Sequence, residues 1–134
     1  NTHYVSSEHD VEVFCEGRTP INTLFENNIF YFEGKGRWGK NHRGINTRFN
    51  NNLYFNIPPH PSDRNPVQGD PLFGDPGQGG YRIDMRTRKD LLGYRLTAKS
   101  PCIDMAHIIP DGGGLDFWGA PVSQDKSDTG AHEL

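Results

Sequence analysis

The chain has 134 residues and a formal net charge of −3, and 33% of its residues are hydrophobic. This length is enough for one domain with a modest core, and no apolar run approaches the about 20 residues that a membrane-spanning helix needs. The small negative charge gives no general attraction for nucleic acid or for an anionic membrane, so neither is expected as a partner.

Turn-forming and aromatic residues dominate the composition. There are 16 Gly and 10 Pro, and Asn is clustered at 27–28 and 50–52. This density of turn formers favours short strands over helices. The 8 Phe, 5 Tyr and 2 Trp distinguish the chain from a disordered tail, which is poor in aromatic residues. We therefore predict an ordered all-β fold.

The first predicted strand is His9 to Phe14, where polar and apolar residues alternate. It precedes the repeat described next, and we interpret it as part of a preceding coil. The chain begins with Asn1 rather than Met and shows no signal-peptide h-region. We therefore expect that it belongs to a longer protein, and that a preceding coil or another chain covers its N-terminal edge.

The clearest pattern is an internal repeat. The segment from Asn22 to Phe32 aligns without a gap with the segment that begins 24 residues later, from Asn46 to Asn56. One unit at this interval is typical of a solenoid, in which each coil stacks on the one before. We predict that residues 1–56 form the last coils of a right-handed parallel β-helix. Two β-hairpin strands with coincidental similarity are the alternative, but no Asn-Gly or Asp-Gly turn separates the units.

Stacked coils would place equivalent side chains above one another at the strand spacing of about 4.8 Å. The repeat then predicts aromatic stacks of Phe25 on Phe49 and of Phe30 on Tyr54. It also predicts a buried ladder of Asn28 on Asn52, in which the amides bond each other and the backbone.

Residues 57–134 do not continue the repeat. They open with Pro58-Pro59-His60-Pro61, which is incompatible with a central strand. A solenoid end must be covered if it is not to associate edge to edge, and this segment is irregular, rich in turns and interspersed with apolar residues. We predict that it is a C-terminal cap, with a short helix only between Thr87 and Leu92.

Several ordered motifs of the C-terminal half resemble the closing segment of bacterial secreted, pectate-lyase-like right-handed β-helix proteins. The motifs are GDPLFGDP at 69–76, YRI at 81–83, LTAKSPCID at 96–104, DFWGAP at 116–121 and DTGAHE at 128–133. The resemblance implies the C-terminal portion of an extracellular polysaccharide-active protein, of the glycoside hydrolase or polysaccharide lyase type. A non-catalytic carbohydrate-binding or structural end-module of a cell-surface protein is the alternative. In the enzyme interpretation most catalytic groups lie on earlier coils, so we do not expect this chain alone to be active.

The segment 35–44 joins the two repeat units and combines four fixed cations with one Trp and one His. Insertions in a solenoid often form the binding face. We predict that this segment contacts an acidic polysaccharide, and an ordinary solvated turn is the alternative. The predicted substrate-binding residues are Lys35, Arg37, Trp38, Lys40 and Arg43. Glu33 and His42 are weak catalytic candidates.

Carboxylates offer further candidates, because glycoside hydrolysis needs two of them about 5 to 9.5 Å apart. Glu26, Glu33 and Asp63 qualify by type, but no spacing singles out a pair. Asp104, Asp116 and Asp128 favour turns, with calcium as the alternative. No other cofactor is expected.

The cysteines and histidines show no metal-ligand spacing. Cys15 and Cys102 are too few for a disulfide scaffold. One disulfide and two buried thiols remain alternatives, and the second is favoured. Trp118 is expected in the core of the cap.

Overall fold

The computed structural model describes residues 1–14, 17, 19–78 and 88–134, and Cys15 lies outside them. In this part of the chain the regular structure is β apart from one 3₁₀ helix, Lys89–Tyr94, so the all-β prediction is confirmed. The helix overlaps the predicted Thr87 to Leu92, of which Thr87 is outside the described residues. The strands are β1 (Thr2–Val5), β2 (Val11–Val13), β3 (Leu24–Glu26), β4 (Ile29–Phe32), β5 (Gly36–Trp38), β6 (Arg48–Asn50), β7 (Leu53–Phe55) and β8 (Val67–Gln68).

Every pair of these strands is parallel. One sheet has the order β1-β4-β7-β8, and β2-β5 and β3-β6 form two further sheets. The four-stranded sheet extends past Asn56, because Val67–Gln68 pairs with β7. Parallel neighbours need a long connection, so none of these pairs is a hairpin.

The repeat has the predicted register. Phe25 pairs with Phe49, and their rings stack with centroids 4.6 Å apart. Phe30 pairs with Tyr54, and their ring planes differ by 3°. The aromatic stacks are therefore confirmed, and the hairpin alternative is wrong because the pairing is parallel.

The asparagine ladder is also confirmed. The side-chain amide of Asn28 donates to Asn52 Oδ1 over 2.9 Å, and the amide of Asn52 donates to Asp63 Oδ2 over 2.8 Å. Asn28 and Asn52 are both buried. This arrangement satisfies polar side chains at a position where water cannot.

Other asparagines of the repeat occupy turns with positive φ. Asn22 and Asn46 are equivalent, as are Asn27 and Asn51, and all four have φ between 47° and 55°. Asn adopts the left-handed conformation more readily than other non-glycine residues. The need for this backbone shape explains why Asn recurs at these positions.

Alternate residues of β4 enter two different cores, as the two-residue period of a strand requires. Phe30 and Phe32 face a cluster with Phe49, Tyr54 and Ile57, which lies between the sheets. The opposite face packs against residues of the C-terminal segment. Its cluster contains Ile29, Tyr31, Leu53, Phe73, Leu96 and Cys102. Residues beyond Asn56 therefore cover one face of the four-stranded sheet.

Gly130 connects the C-terminal segment to β4. Its N–H donates to the carbonyl of Asn27, and its φ is +113°. A Cβ here would lie 2.6 Å from Cδ1 of Ile29. Glycine adopts this φ without strain and leaves room for the Ile29 side chain.

The strand predicted at His9 to Phe14 is present in part, as Val11–Val13. Its partner is Gly36–Trp38, whereas the first repeat unit pairs on the N-terminal side with Thr2–Val5. The interpretation of 35–44 as a projecting insertion is therefore wrong for its first residues, which form β5 within a parallel pair.

Candidate functional site

The basic segment begins on β5, where the strand alternation separates its side chains. Gly36 faces inward, because a Cβ there would lie 2.8 Å from Cβ of Ile57. Arg37 points outward and forms an ion pair with Glu12 over 2.8 Å. Lys35, Lys40 and Arg43 are exposed as well. The four cations predicted for binding therefore lie on the surface.

Trp38 lies with the inward side chains instead. Its ring meets Phe30, Phe49 and Tyr54 edge to face, with centroids 5.6 to 6.2 Å apart. Its Nε1–H donates to the carbonyl of Pro58 over 2.7 Å. These contacts hold the indole in the aromatic core, so it stabilises the fold beneath the cationic surface.

His42 is half-buried and contacts a second histidine that the sequence did not single out. Its Nδ1 lies 2.9 Å from Nε2 of His60, which is 2% exposed and stacked on Phe49. The backbone N–H of Ser62 donates to Nδ1 of His60, which leaves the proton of His60 on Nε2 to donate to His42. Burial lowers the pKa of His60, so this ring acts as a neutral hydrogen-bonding group at pH 7.

Glu33 lies close to a group of tyrosines. It accepts the N–H of Ser7 over 3.3 Å and the hydroxyl of Tyr4. Burial, followed by the bond to Glu33, raises the pKa of Tyr4 to about 12. Burial also raises the pKa of Tyr31 and of Tyr94. The carboxylate therefore positions a hydroxyl and a loop N–H.

Glu26 and Asp63 also accept hydrogen bonds from groups within the fold. Oε1 of Glu26 accepts the side-chain amide of Asn50 and lies 3.0 Å from Nδ1 of His107. Asp63 accepts five donors, among them the side-chain amide of Asn52 and the hydroxyl of Tyr54. Each carboxylate considered for catalysis is thus committed to bonds within the fold.

Two of the three aspartates expected in turns accept backbone donors. Asp116 receives the N–H of Ala120 over 2.7 Å, and Asp128 receives that of Asp104 over 2.8 Å. Burial opposes ionisation of Asp116, but backbone N–H groups, led by that of Glu133, hold its pKa below the ordinary value. Across the described residues, no group of three or more His, Cys, Asp or Glu side chains could hold a metal ion.

A cleft of about 340 Å³ is lined by residues that the sequence analysis did not bring together. Two edge-to-face pairs form its walls. Tyr4 and Tyr94 have ring centroids 5.1 Å apart, and Phe117 and Trp118 have theirs 5.0 Å apart. The remaining lining residues are Asn1, Thr2, Leu91 and Ala131.

Two arginines support one wall of this cleft. The guanidinium of Arg95 lies 5.1 Å from the centroid of Trp118, and that of Arg88 lies 5.0 Å from the centroid of Phe117. The indole N–H of Trp118 donates to the carbonyl of Arg88 over 3.3 Å. Trp118 is half-buried, so it belongs to the cap and also lines the cleft.

Cys102 is a free thiol, buried against the four-stranded sheet. Burial raises its pKa to about 11, so the thiol stays protonated and unreactive at neutral pH. The predicted alternatives of a disulfide between Cys15 and Cys102 and of two buried thiols also involve Cys15, which lies outside the described residues.

No helix in the described part of the chain is long and apolar enough to cross a membrane. The chemistry of the side chains is the guide to function, because the chain matches no protein-family model and no curated protein.

Proposed function

We propose that the parallel strands are the last coils of a right-handed, pectate-lyase-like parallel β-helix, and that the chain is the C-terminal portion of an extracellular polysaccharide-active protein. The register supports this proposal, because each strand of the first repeat unit pairs with its equivalent in the second. The solenoid places like residues on like, as Phe25 on Phe49. In this proposal, residues 57–134 first add the strand Val67–Gln68 to the sheet and then act as the cap of the last coil.

Within such a protein, the role that we assign to this chain is carbohydrate binding rather than catalysis. One observation carries this choice. The candidate catalytic groups Glu33 and His42 are held in hydrogen bonds within the fold, whereas the basic side chains of the same region are exposed. Exposed cations can pair with the carboxylates of an acidic polysaccharide without any reacting group. We call Lys35, Arg37, Lys40 and Arg43 the basic strip.

The proposal includes a partner at the N-terminal edge. Among the described residues, β1, β2 and β3 each pair on one side only, as β5, β6 and β8 do at the opposite edge. Half-buried apolar side chains accompany these open edges, for example Val5, Val13 and Phe25. Unpaired strands with apolar neighbours favour association. A preceding coil of the same protein, or another chain, would pair there.

The test of the binding role uses a panel of neutral and uronic-acid polysaccharides. Retention in affinity gels and release of reducing or unsaturated ends are measured together. We expect retention of uronic-acid polymers without product. The double variant Lys35→Gln/Arg43→Gln removes two exposed ionic contacts worth about 0.4 to 2 kcal/mol together, so its affinity should fall about twofold to thirtyfold.

The matched control is Lys99→Gln/Arg64→Gln, which removes the same charge from exposed positions outside the strip. The binding role is refuted if no polysaccharide is retained, or if both double variants weaken retention equally. Product formation that disappears in Glu33→Gln would instead assign a hydrolase or lyase.

A further inference from the structure

We propose that the aromatic cleft formed by Tyr4, Tyr94, Phe117 and Trp118 binds one pyranose unit of a glycan. This inference rests on the proposed polysaccharide binding, and it adds a site that contains no residue of the basic strip. The contact at this site is stacking of a sugar ring on aromatic side chains, whereas the basic strip binds by pairing of charges.

The lining of the cleft matches the two kinds of surface on a pyranose. The sugar ring has a face of C–H groups, and its rim carries hydroxyls. The aromatic rings offer apolar faces with negative potential, which attract C–H groups. Polar residues belong to the lining of the same cleft, namely Asn1, Tyr4 and Tyr94. A volume of about 340 Å³ lies in the range of small-molecule sites.

The wall formed by Phe117 and Trp118 is held in place from behind. The N–H of Phe117 donates to the carbonyl of Ala131 over 3.0 Å, and His132 meets the indole edge to face at 5.4 Å. Arg95 stacks on the same indole. These contacts fix the rings before a ligand arrives, which reduces the entropic cost of binding.

The wall formed by the tyrosines is also fixed. Tyr4 stacks on Tyr31 with centroids 5.8 Å apart, and its hydroxyl bonds Glu33. Tyr94 meets Phe73 edge to face, and its hydroxyl accepts the N–H of Gly77 over 3.2 Å. The Tyr94 hydroxyl therefore keeps its own proton to donate to a sugar oxygen.

A lipid is a poorer match to this cleft. Among the described lining residues, Leu91 is the one long aliphatic side chain, and an acyl chain would offer no hydrogen-bond partner to the polar lining residues. A pyranose supplies both the apolar face and the hydroxyl partners.

The test titrates the full chain with cello-, xylo- and galacturono-oligosaccharides. Saturation-transfer NMR on the unmodified protein reports which ligand protons touch protein, and isothermal titration calorimetry gives the affinity. We expect saturation of pyranose C–H protons. Trp118→Leu and Tyr94→Leu should each weaken binding at least tenfold, since truncation of a buried aromatic contact costs more than about 1.4 kcal/mol.

The matched control is Phe55→Leu, because Phe55 is a half-buried aromatic stacked on Tyr31 outside the cleft. Trp118→Phe keeps a ring at the site, so it should retain the fold and most of the affinity if the leucine variant is unstable. The inference is overturned if the cleft variants bind oligosaccharides as the control does.

The remaining outcomes separate this inference from the proposed function. If the variant Lys35→Gln/Arg43→Gln loses polysaccharide while the cleft variants keep it, the binding role stands and the cleft site is wrong. If no saccharide binds the unmodified chain, both are wrong. A cleft that takes a fatty acid but no saccharide also overturns the inference.

Discussion

Removing one amide from the buried asparagine ladder tests the physical basis of the fold. Asn52 is fully buried, and all four of its hydrogen-bonding positions are filled. Its Oδ1 accepts both the backbone N–H and the side-chain amide of Asn28. In Asn52→Ala these two donors stay buried and lose their acceptor. Each costs about 1 to 3 kcal/mol, so the free energy of unfolding should fall by about 2 to 6 kcal/mol.

The control for this variant is Asn65→Ala. Asn65 donates one exposed side-chain hydrogen bond, to Asn50 Oδ1, and water can replace it. Its loss should cost less than about 1 kcal/mol. Urea unfolding followed by circular dichroism at one protein concentration compares the variants, so that any association through the open edges contributes equally. Equal losses in Asn52→Ala and Asn65→Ala would falsify the assignment of the ladder as a major source of stability.

Three further predictions concern buried groups. Thr2→Val should raise the free energy of unfolding by about 1 kcal/mol, because Thr2 Oγ1 is buried without a hydrogen-bond partner; thermal melts measure this. Gly36→Ala should lower it by about 1 to 3 kcal/mol, since the added Cβ would clash with Ile57, and unchanged urea unfolding would contradict the packing. Burial lowers the pKa of His60 and of His132 from 6.5, so the unfolded chain binds more protons. The free energy of unfolding should therefore fall as the pH decreases from 7 through 6.5 towards the lower pKa values of these histidines in the folded chain. Thermal melts between pH 7.5 and 5 would detect this fall.

The repeat was predictable because parallel coils place like residues on like. Phe25 and Phe49, which pair in the structure, occupy equivalent positions of the repeat in the sequence. The ladder of Asn28 and Asn52 follows from the same rule. Such stacking can be predicted from the length of the repeat alone, without knowledge of other tertiary contacts.

The role of Trp38 was not predictable in the same way. Glycines and charged residues surround it in the sequence, which is typical of an exposed turn. Its strand pairs with Val11–Val13, which shares no repeat with it. The inward orientation follows from this pairing and from the aromatic core beneath it. The available signal was the two-residue period of a strand, which places Gly36 and Trp38 on one face and Lys35 and Arg37 on the other.

The aromatic cleft had no sequence signal at all. Tyr4, Tyr94 and the Phe117-Trp118 pair are far apart in the chain and meet only because the C-terminal segment packs back beside β1. Motif 116–121 indicated that Phe117 and Trp118 matter for the cap. It did not indicate their neighbours, because irregular segments have no period from which contacts can be inferred.

The hydrogen bonds of the asparagine ladder all run in one direction along the parallel stack. Asn1 donates its amide to Asn28, Asn28 donates to Asn52, and Asn52 donates to Asp63. A carboxylate accepts hydrogen bonds but has no proton to pass on, so the series ends at Asp63. Within the described residues, both ends of the stack have edge strands, which are β1, β2 and β3 at one end and β5, β6 and β8 at the other. The ladder supports our proposal of a preceding coil beside Thr2–Val5, where an amide or hydroxyl donor would extend it, whereas at the opposite side the ladder ends at Asp63.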